Sequence, residues 1–349
     1  MRVVIVGATG NVGTSLLESL RSEAGVDEVV AVARRPPATQ FPRTEFVPAD
    51  IARSDLVPLF RGADAVVHLA WLIQPGRDES VTSAVNLDGS RRLFRAVIEA
   101  GVPLLVYASS VGAYSPGPKD RLVDESWPTD GVPSSFYARH KAALERDLDR
   151  LEREQSQLRV IRMRPGLIFK AHAASEIRRL FAGPLLPGWL VTPKVIPVVP
   201  DVPRLRFQAV HSHDVGDAYR RALLSSARGA FNLAAEPPIG AAELARVLDA
   251  RPVPVSARLL RGLAAVTYGL RLQPSEPGWV DMALSVPMMD SARARSELGW
   301  SPRHGALETL DELLRGMREG SDYPTPPLAR ETSGPLRIRE LVTGVGARV

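Results

Sequence analysis

The segment Gly7-Ala8-Thr9-Gly10-Asn11-Val12-Gly13 decides the fold of this chain. It follows the β-branched run Val3-Val4-Ile5-Val6 and precedes a helical pattern from Thr14 to Arg21. A strand, a glycine turn and a helix in this order predict a dinucleotide site, because glycines permit a tight turn and a close approach to a pyrophosphate. The first N–H groups of the helix then face the phosphates. The spacing is GxxGxxG, which differs from the classical GxGxxG.

Short apolar runs alternate with helical patterns through the first half of the chain, which is typical of a parallel sheet. The predicted strands are 3–6, 29–33, 45–48, 65–69, 104–108 and 160–163, and the predicted helices are 12–21, 55–60, 80–100 and 135–155. Prolines and glycines then crowd residues 183–203, and helical patterns return at 214–226, 241–249, 257–270 and 306–319.

These patterns predict an α/β fold with a Rossmann-type doubly wound parallel sheet. We assign the dinucleotide-binding domain to residues 1–163, and the predicted helix 135–155 belongs to it. A smaller, mostly substrate-binding lobe is predicted for residues 164–320. Residues 321–349 contain four prolines and are predicted to form an extended tail.

Composition limits the classes of partner. The 349-residue chain carries a net charge of +5, but its arginines are scattered without a basic tract, which argues against nucleic acid. It contains no cysteine, which excludes disulfides, thiolate metal ligands and a cysteine nucleophile. No apolar run reaches the roughly 18 residues of a membrane span, and the N-terminus does not resemble a signal peptide. We expect a cytoplasmic protein with a small-molecule substrate, no nucleic-acid or membrane partner, and no metal; a homodimer is compatible with this.

An arginine pair stands where the cofactor's adenosine ribose is expected. About twenty residues after the glycines, an NAD site usually supplies an acid, whereas an arginine accommodates the 2′-phosphate of NADP. This chain has Arg34 and Arg35 there and no carboxylate. The pattern favours NADP, and NAD remains possible. A solvated arginine pair before Pro36 and Pro37 is the other interpretation.

Tyr137 and Lys141 lie four residues apart and therefore share one face of the predicted helix. A free phenol has a pKa near 10, and a neighbouring ammonium favours its ionised form. Ser109 and Ser110 follow a predicted strand, where a hydroxyl would hydrogen-bond a substrate oxygen; Ser109 takes that role if the strand ends one residue early.

The chain resembles the extended short-chain dehydrogenase/reductases of the NAD-dependent epimerase/dehydratase family from the N-terminus to about Met317. The matching segments are the glycine turn, Asp50-Ile51, His68-Leu69-Ala70, Asn86, Tyr107-Ala108-Ser109-Ser110, Tyr137 with Lys141, Arg164-Pro165-Gly166, Val210-His211, Asp214-Val215 and Leu298-Gly299-Trp300-Ser301-Pro302. The resemblance implies that Ser110, Tyr137 and Lys141 are catalytic. It further implies cofactor contacts by Gly7, Thr9, Gly10, Asn11, Val12, Gly13, Arg34, Arg35, Asp50, Ile51, Leu69, Ala70, Asn86, Ala108, Tyr137, Lys141 and Pro165.

Some of these residues have other interpretations. Asp50 follows a strand and would equally cap a helix. Asn86 would position the active-site helix or simply lie on a helix face. We regard His68 as structural. We assign His211, His213 and Asp214 to a strand–helix junction that borders the substrate pocket, because their spacing does not match a metal site.

Departures from the family narrow the expected reaction. Dehydratases of the family carry an Asp-Glu pair after the catalytic Ser or Thr, whereas this chain has Val111-Gly112. The Asn and Gly-Pro that seat a sugar nucleotide's diphosphate are also missing after Arg164. Lys170, Arg178, Arg179 and Arg206 remain candidate phosphate ligands, and Trp71, Leu72, Ile73 and Trp189 are candidates for an apolar pocket or for the core.

We therefore expect an NAD(P)-dependent oxidoreductase that transfers hydride between the cofactor and a secondary alcohol or carbonyl compound. A nucleotide-sugar redox epimerase is the first alternative. A non-catalytic regulator that senses NAD(P) is the second alternative, because fold alone permits it.

Overall fold

The computed structural model of the chain describes residues 1–37, 39–73, 79–181, 196–273 and 275–329. The strands are β1 (Arg2–Val6), β2 (Glu28–Ala33), β3 (Thr44–Pro48), β4 (Ala65–His68), β5 (Leu104–Ala108), β6 (Leu122–Val123), β7 (Arg159–Pro165), β8 (Leu167–Phe169), β9 (Val198–Asp201), β10 (Ala209–His211), β11 (Gly229–Leu233), β12 (Arg251–Pro254) and β13 (Met288–Met289).

The helices are α1 (Asn11–Leu20), α2 (Val57–Phe60), α3 (Glu79–Ser83), α4 (Ser90–Glu99), α5 (Phe136–Glu154), α6 (Ala174–Phe181), α7 (Ser212–Leu224), α8 (Ala241–Leu248), α9 (Ala257–Gly269), α10 (Gly278–Ser285), α11 (Ala292–Leu298) and α12 (Ala306–Glu319). None of the helices in the described ranges is both long and apolar enough to cross a bilayer.

Within the described residues, seven parallel strands form the central sheet in the order β11-β7-β5-β4-β1-β2-β3. The chain runs outward from β1 through β2 to β3, and β4 then begins the other half beside β1. The direction of winding therefore reverses between β1 and β4, where the carboxyl ends of the strands leave a crevice for a ligand. The predicted Rossmann-type doubly wound sheet is confirmed.

The seventh strand, β11, was missed by the sequence analysis. It pairs in parallel with β7, with Gly229 opposite Ile161 and Leu233 opposite Pro165. The central sheet thus receives its edge strand from beyond residue 163. The boundaries of the two lobes remain predictions.

Alternate residues of the strands enter two separate cores. In β1, Val3 and Ile5 pack towards α1 and α7, whereas Val4 and Val6 pack towards α4 and α5. Because both faces of the sheet are covered by helices, its inner strands are mostly apolar; Arg162 and Arg164 in β7 and His68 in β4 are the buried polar exceptions among the strands β1, β2, β4, β5 and β7. A third core joins β8, β10, α6, α8 and α12 beyond the sheet.

The helix predicted for residues 80–100 is interrupted. The structure has α3, then a π-helical stretch over Ala84–Gly89, and then α4. Wider turns of this kind are rare and occur frequently at functional sites. The π-helical stretch contains Asn86, which is fully buried.

The later helices were predicted at nearly their observed positions, as α7, α8, α9 and α12. Residues 324–328 form turns that fold back onto the glycine turn. Residues 330–349 lie outside the described residues, as does Trp189.

Candidate active site

The glycine turn places its three glycines in different surroundings. Gly7 has a φ of +92°, and a Cβ there would lie 2.6 Å from the Ala70 nitrogen. A Cβ on Gly13 would lie 2.5 Å from the carbonyl oxygen of Gly7. At Gly10 the nearest atom to an added Cβ is the Gly7 oxygen, at 3.6 Å. Gly7 and Gly13 are therefore needed for packing, whereas Gly10 leaves space where a pyrophosphate would approach the backbone.

A cleft opens at the carboxyl ends of β1, β2 and β4. It is lined by these predicted cofactor residues: Gly7, Thr9, Gly10, Arg34, Arg35, Asp50, Ile51, Leu69 and Ala70. Trp71, Leu72 and Ile73 also line it, so the structure places them at this cleft. The lining residues that the sequence analysis did not assign to the site are Val6, Val32, Ala33, Ala49, Val85, Glu176, Pro326 and Pro327.

The C-terminal segment 321–329 closes one side of this cleft. The Thr325 hydroxyl donates a hydrogen bond to the carbonyl oxygen of Thr9 at 2.8 Å, and Leu328 is buried in the third core. Pro326 and Pro327 therefore lie beside the glycine turn. No local pattern in the sequence links residue 325 to residue 9.

Asn86 holds the loop that follows β4. Its amide oxygen accepts from the Leu72 N–H at 2.8 Å, and its amide nitrogen donates to the Leu72 carbonyl at 3.0 Å. The Asp50 carboxylate accepts a hydrogen bond from the Ala52 N–H at 2.9 Å and thereby stabilises the turn that follows β3. Both side chains thus shape the cleft wall, and their direct cofactor contacts stay predictions.

The other predicted cofactor residues lie around the same crevice. Asn11, Val12 and Gly13 form the first turn of α1, and the Asn11 amide donates to the Ile168 carbonyl at 3.2 Å. Ala108 ends β5 and Pro165 ends β7.

Ser110, Tyr137 and Lys141 come together where β5 ends and α5 begins. Ser135 caps α5 through its hydroxyl, and the Glu276 carboxylate accepts from the Phe136 N–H at 3.1 Å. These contacts fix the first turn of the helix, which carries Tyr137. The Ser109 hydroxyl donates to the Glu145 carboxylate at 2.5 Å. Ser109 is therefore engaged elsewhere, and Ser110 is the serine at Tyr137.

Gly112 provides the space for the Tyr137 ring. A Cβ at position 112 would lie 2.8 Å from Cε1 of Tyr137 and 3.0 Å from the Met282 sulfur. Real Cβ atoms do not approach other atoms so closely, so a carboxylate side chain at position 112 would displace the phenol. The position that carries an acid in dehydratases is thus sterically closed here.

Burial dominates the electrostatics of this group. It raises the pKa of Tyr137 to about 12, and the Ser110 hydroxyl acts in the opposite direction. Burial also holds the pKa of Lys141 well below its ordinary range, while the Glu145 carboxylate raises it. The Lys141 ammonium donates to the Ala108 carbonyl at 2.6 Å and lies 3.5 Å from the centre of the Trp71 ring. The pKa of Tyr137 therefore moves opposite to the expectation from the Lys141 charge alone.

A buried ion-pair network connects α5 to the central sheet. Glu145 lies one turn beyond Lys141 and accepts two hydrogen bonds from Arg164, each of 2.9 Å, and one of 2.9 Å from Arg162. Despite burial, these arginines hold the pKa of Glu145 at about 2. The network ties α5 to β7 and was missed by the sequence analysis, although Tyr137, Lys141 and Glu145 share the i, i+4, i+8 spacing of one helix face.

Lys170, a candidate phosphate ligand by sequence, is engaged within the fold. Its buried ammonium donates to the Asn11 carbonyl and to the hydroxyls of Thr14 and Ser15, at 2.7 to 3.0 Å. It thereby fastens β8 to α1. The Arg179 side chain lies outside the described residues.

The histidines at the start of α7 are structural. His211 accepts from the His213 N–H at 3.2 Å, and Asp214 accepts from the His304 N–H at 3.0 Å. They form the predicted strand–helix junction, and none of the three lines the cleft at the glycine turn; their place at the border of the substrate pocket stays a prediction. Within the described ranges, no three His, Asp or Glu side chains are arranged to hold a metal ion.

His68, whose Nε2 lies 2.8 Å from the Ser90 hydroxyl, has a pKa lowered to about 3 by burial.

A second cavity, of about 440 Å³, has a wall that includes neighbours of Tyr137, although Tyr137, Ser110 and Lys141 do not themselves line it. Val111, Trp279 and Met282 pack near Tyr137 and form part of its wall, and the ring centres of Tyr137 and Trp279 are 5.0 Å apart. Most of the remaining wall is apolar and comes from β8, β13, α9, α10 and residues 205–208, with the polar residues Gln208, Thr267, Gln273 and Ser275 among it. Within the described residues, no Lys or Arg lines it, and its one charged residue, Glu276, is hydrogen-bonded to α5.

The crevice at the glycine turn and the Ser110, Tyr137 and Lys141 group define a dinucleotide-binding protein of the α/β class. The family model described as NAD dependent epimerase/dehydratase matches residues 3–234. The chain therefore belongs to this family, whose members are enzymes of the extended short-chain dehydrogenase/reductase type.

Similarity to individual proteins extends over most of the chain. An uncharacterised protein of Mycobacterium tuberculosis is 26% identical over 321 residues, which are 91% of this chain and 30% of that protein. This chain thus spans less than a third of the length of that relative. A UDP-glucose 4-epimerase of Mycolicibacterium smegmatis is 27% identical over 338 residues, which cover 92% of this chain and all of that protein.

Two further comparisons concern a shorter segment of the chain and the fold. The sterol-4-alpha-carboxylate 3-dehydrogenase of Saccharomyces cerevisiae is 32% identical over 107 residues, 31% of this chain and 30% of that protein. The Thermus thermophilus UDP-glucose 4-epimerase in complex with NAD matches with a TM-score of 0.66 and 22% identity, covering 91% of this chain and 99% of that one. At this identity the structural match shows the fold.

Proposed function

We propose that this protein is an NAD(P)-dependent oxidoreductase that interconverts an apolar secondary alcohol and the corresponding ketone. The observation that carries the proposal is the mostly apolar cavity of about 440 Å³ whose wall includes neighbours of Tyr137. A ligand of a few rings or a branched chain fits such a volume and would bury apolar surface there. The short match to a sterol dehydrogenase supports the same substrate class.

The chain's own residues would handle the proton and the geometry of this reaction. A bound nicotinamide would supply or accept the hydride. The Ser110 hydroxyl would hydrogen-bond the substrate oxygen and hold the carbonyl carbon in place. In reduction, the Tyr137 hydroxyl would give its proton to that oxygen as the new C–H bond forms; in oxidation, the proton returns to the phenolate oxygen. Lys141 would stabilise the phenolate that remains.

The cofactor preference of the chain is a separate part of the proposal. Arg34 and Arg35 are exposed, line the cleft at the end of β2 and would pair with a 2′-phosphate. We therefore propose NADP, whereas the NAD in the Thermus thermophilus structure supports NAD as the alternative. Titration of both reduced cofactors by fluorescence tests this, because replacing both arginines by alanine should weaken NADPH binding about tenfold or more and leave NADH binding unchanged. Equal affinities of the unaltered protein for both cofactors would contradict the NADP preference.

A nucleotide-sugar redox epimerase is the second candidate, and the full-length match to a UDP-glucose 4-epimerase favours it. A sugar diphosphate needs cationic or N–H partners, however, and no Lys or Arg of the described residues lines the cavity. The closed position at Gly112 argues against dehydration. The regulator hypothesis is disfavoured because Ser110, Tyr137 and Lys141 are all present and brought together.

A substrate screen distinguishes these functions. Apolar ketones are incubated with reduced cofactor while nicotinamide absorbance is followed, and UDP-sugars are incubated separately, with products separated by chromatography. We expect net cofactor oxidation with apolar ketones and no change of UDP-glucose. Tyr137→Phe should lower turnover at least about 100-fold with cofactor affinity unchanged, because only the proton-carrying oxygen is lost. Conversion of UDP-glucose without net cofactor change would instead establish the epimerase, and a UDP-sugar product that has lost water would overturn both.

A further inference from the structure

Helix α9 exposes a continuous apolar stripe. None of its residues is buried. Leu259, Leu263, Val266 and Leu270 follow one another at helical spacing and are 64%, 59%, 58% and 66% exposed. Single exposed apolar residues are ordinary, but four along one face form a patch about 16 Å long, which marks an interaction surface.

The stripe lies at the mouth of the apolar cavity. Leu260, Ala264 and Thr267, on the adjoining face of α9, line the cavity. Leu263 belongs to both faces, because it lines the cavity and is also exposed. A surface that covers the stripe would therefore cover Leu263, the exposed residue that also lines the cavity.

The positive charge around α9 indicates which kind of partner would cover the apolar stripe. Residues 250–275 contain Arg251, Arg258, Arg261 and Arg271 and no Asp or Glu. Arg261 pairs with Asp281 at 2.7 Å, which holds α9 against α10. Two copies of the chain meeting through α9 would bring Arg258 and Arg271 together, so like charges oppose self-association. An anionic surface complements them.

We propose that α9 docks this protein on the surface of an anionic phospholipid bilayer, with the cavity mouth facing the lipid. The apolar side chains would enter the boundary between headgroups and acyl chains, and the arginines would contact the phosphates. Entry of an apolar substrate from the bilayer rests on the proposed function, whereas docking rests on α9 alone. This proposal departs from the expectation that a membrane is no partner.

Flotation with vesicles tests the docking. The protein is mixed with vesicles of phosphatidylcholine alone or of phosphatidylcholine with phosphatidylglycerol. We expect flotation with the anionic vesicles that weakens as salt rises. L259Q/L270Q and R258E/R271E should each lower the partition coefficient at least about tenfold. Ile98→Gln, which replaces an exposed apolar residue on α4, should leave it unchanged. All substituted residues are exposed, so circular dichroism should show an intact fold.

The outcomes separate docking from the proposed function. Leu259 and Leu270 do not line the cavity, so L259Q/L270Q should reduce a water-soluble apolar ketone at the unaltered rate without vesicles. Absence of turnover in every protein, with flotation intact, would refute the substrate class alone. Equal flotation with both vesicle types, or flotation of L259Q/L270Q like the unaltered protein, would overturn the docking. A dimer in light scattering that L259Q/L270Q dissociates would identify a second copy as the occupant and overturn it as well.

Discussion

Replacing Glu145 by glutamine should cost about 3 kcal/mol of the free energy of unfolding at neutral pH. The pKa of Glu145 falls from its ordinary 4.5 to about 2 because Arg164 and Arg162 stabilise the carboxylate. At about 1.4 kcal/mol for each pH unit, this difference corresponds to about 3 kcal/mol. The side chain has no exposure to solvent, so screening does not reduce this value. The thermal midpoint should fall by roughly 5 °C.

The pH dependence of this effect has a definite sign. The folded pKa lies below the unfolded one, so the contribution is complete above about pH 4.5 and disappears as the pH falls towards 2. Urea unfolding of both proteins from pH 7 down to 3 should therefore show a difference that shrinks with acidification. Glu152→Gln is the matched control, because Glu152 also pairs with Arg162 but is 31% exposed and should contribute less than about 1 kcal/mol. A difference below about 1 kcal/mol at pH 7 for Glu145→Gln, or one that does not change with pH, would refute the reasoning.

Two further predictions test the site itself. Gly112→Ala should lower turnover about 10- to 100-fold without changing cofactor affinity, because the added Cβ displaces the Tyr137 ring. Gly262→Ala is the control, because an added Cβ there meets no atom within 4 Å. A Gly112→Ala rate within a factor of two of the unaltered protein would contradict the steric argument. Thr325→Val should raise the cofactor dissociation constant several-fold, because about 1 kcal/mol of hydrogen bond to the glycine turn is lost. Thr325→Ser should retain the affinity, and isothermal titration that gives equal values for Thr325→Val would show that segment 321–329 does not support the cofactor site.

The features that could be predicted from the sequence depend on local periodicity. Alternating strands and helices, the glycine turn after β1 and the pair Tyr137 and Lys141 all involve residues within a few positions of one another. Backbone sterics and helix geometry alone determine which of these residues share a turn or a face. Arg34 and Arg35 were also predicted at the cleft, because the end of β2 lies at a regular distance from the turn.

Which distant polar groups form hydrogen bonds with one another was decided only by the tertiary structure. Lys170 was a candidate phosphate ligand by its position, but its ammonium is used by Asn11, Thr14 and Ser15, more than 150 residues earlier in the chain. Ser109 and Ser110 are adjacent in the sequence, and the distant carboxylate of Glu145 distinguishes them. Such pairings depend on long-range packing, which no local pattern records.

The same limit applies to burial. The apolar spacing of residues 257–270 predicted a helix but not that the Leu259 and Leu270 side chains would remain exposed. The prolines after residue 321 predicted an extended tail, whereas Thr325 binds Thr9 and Leu328 enters a core. The sequence shows which side chains favour burial because they are hydrophobic. Whether such a side chain is in fact covered depends on how elements that are distant in the sequence pack together.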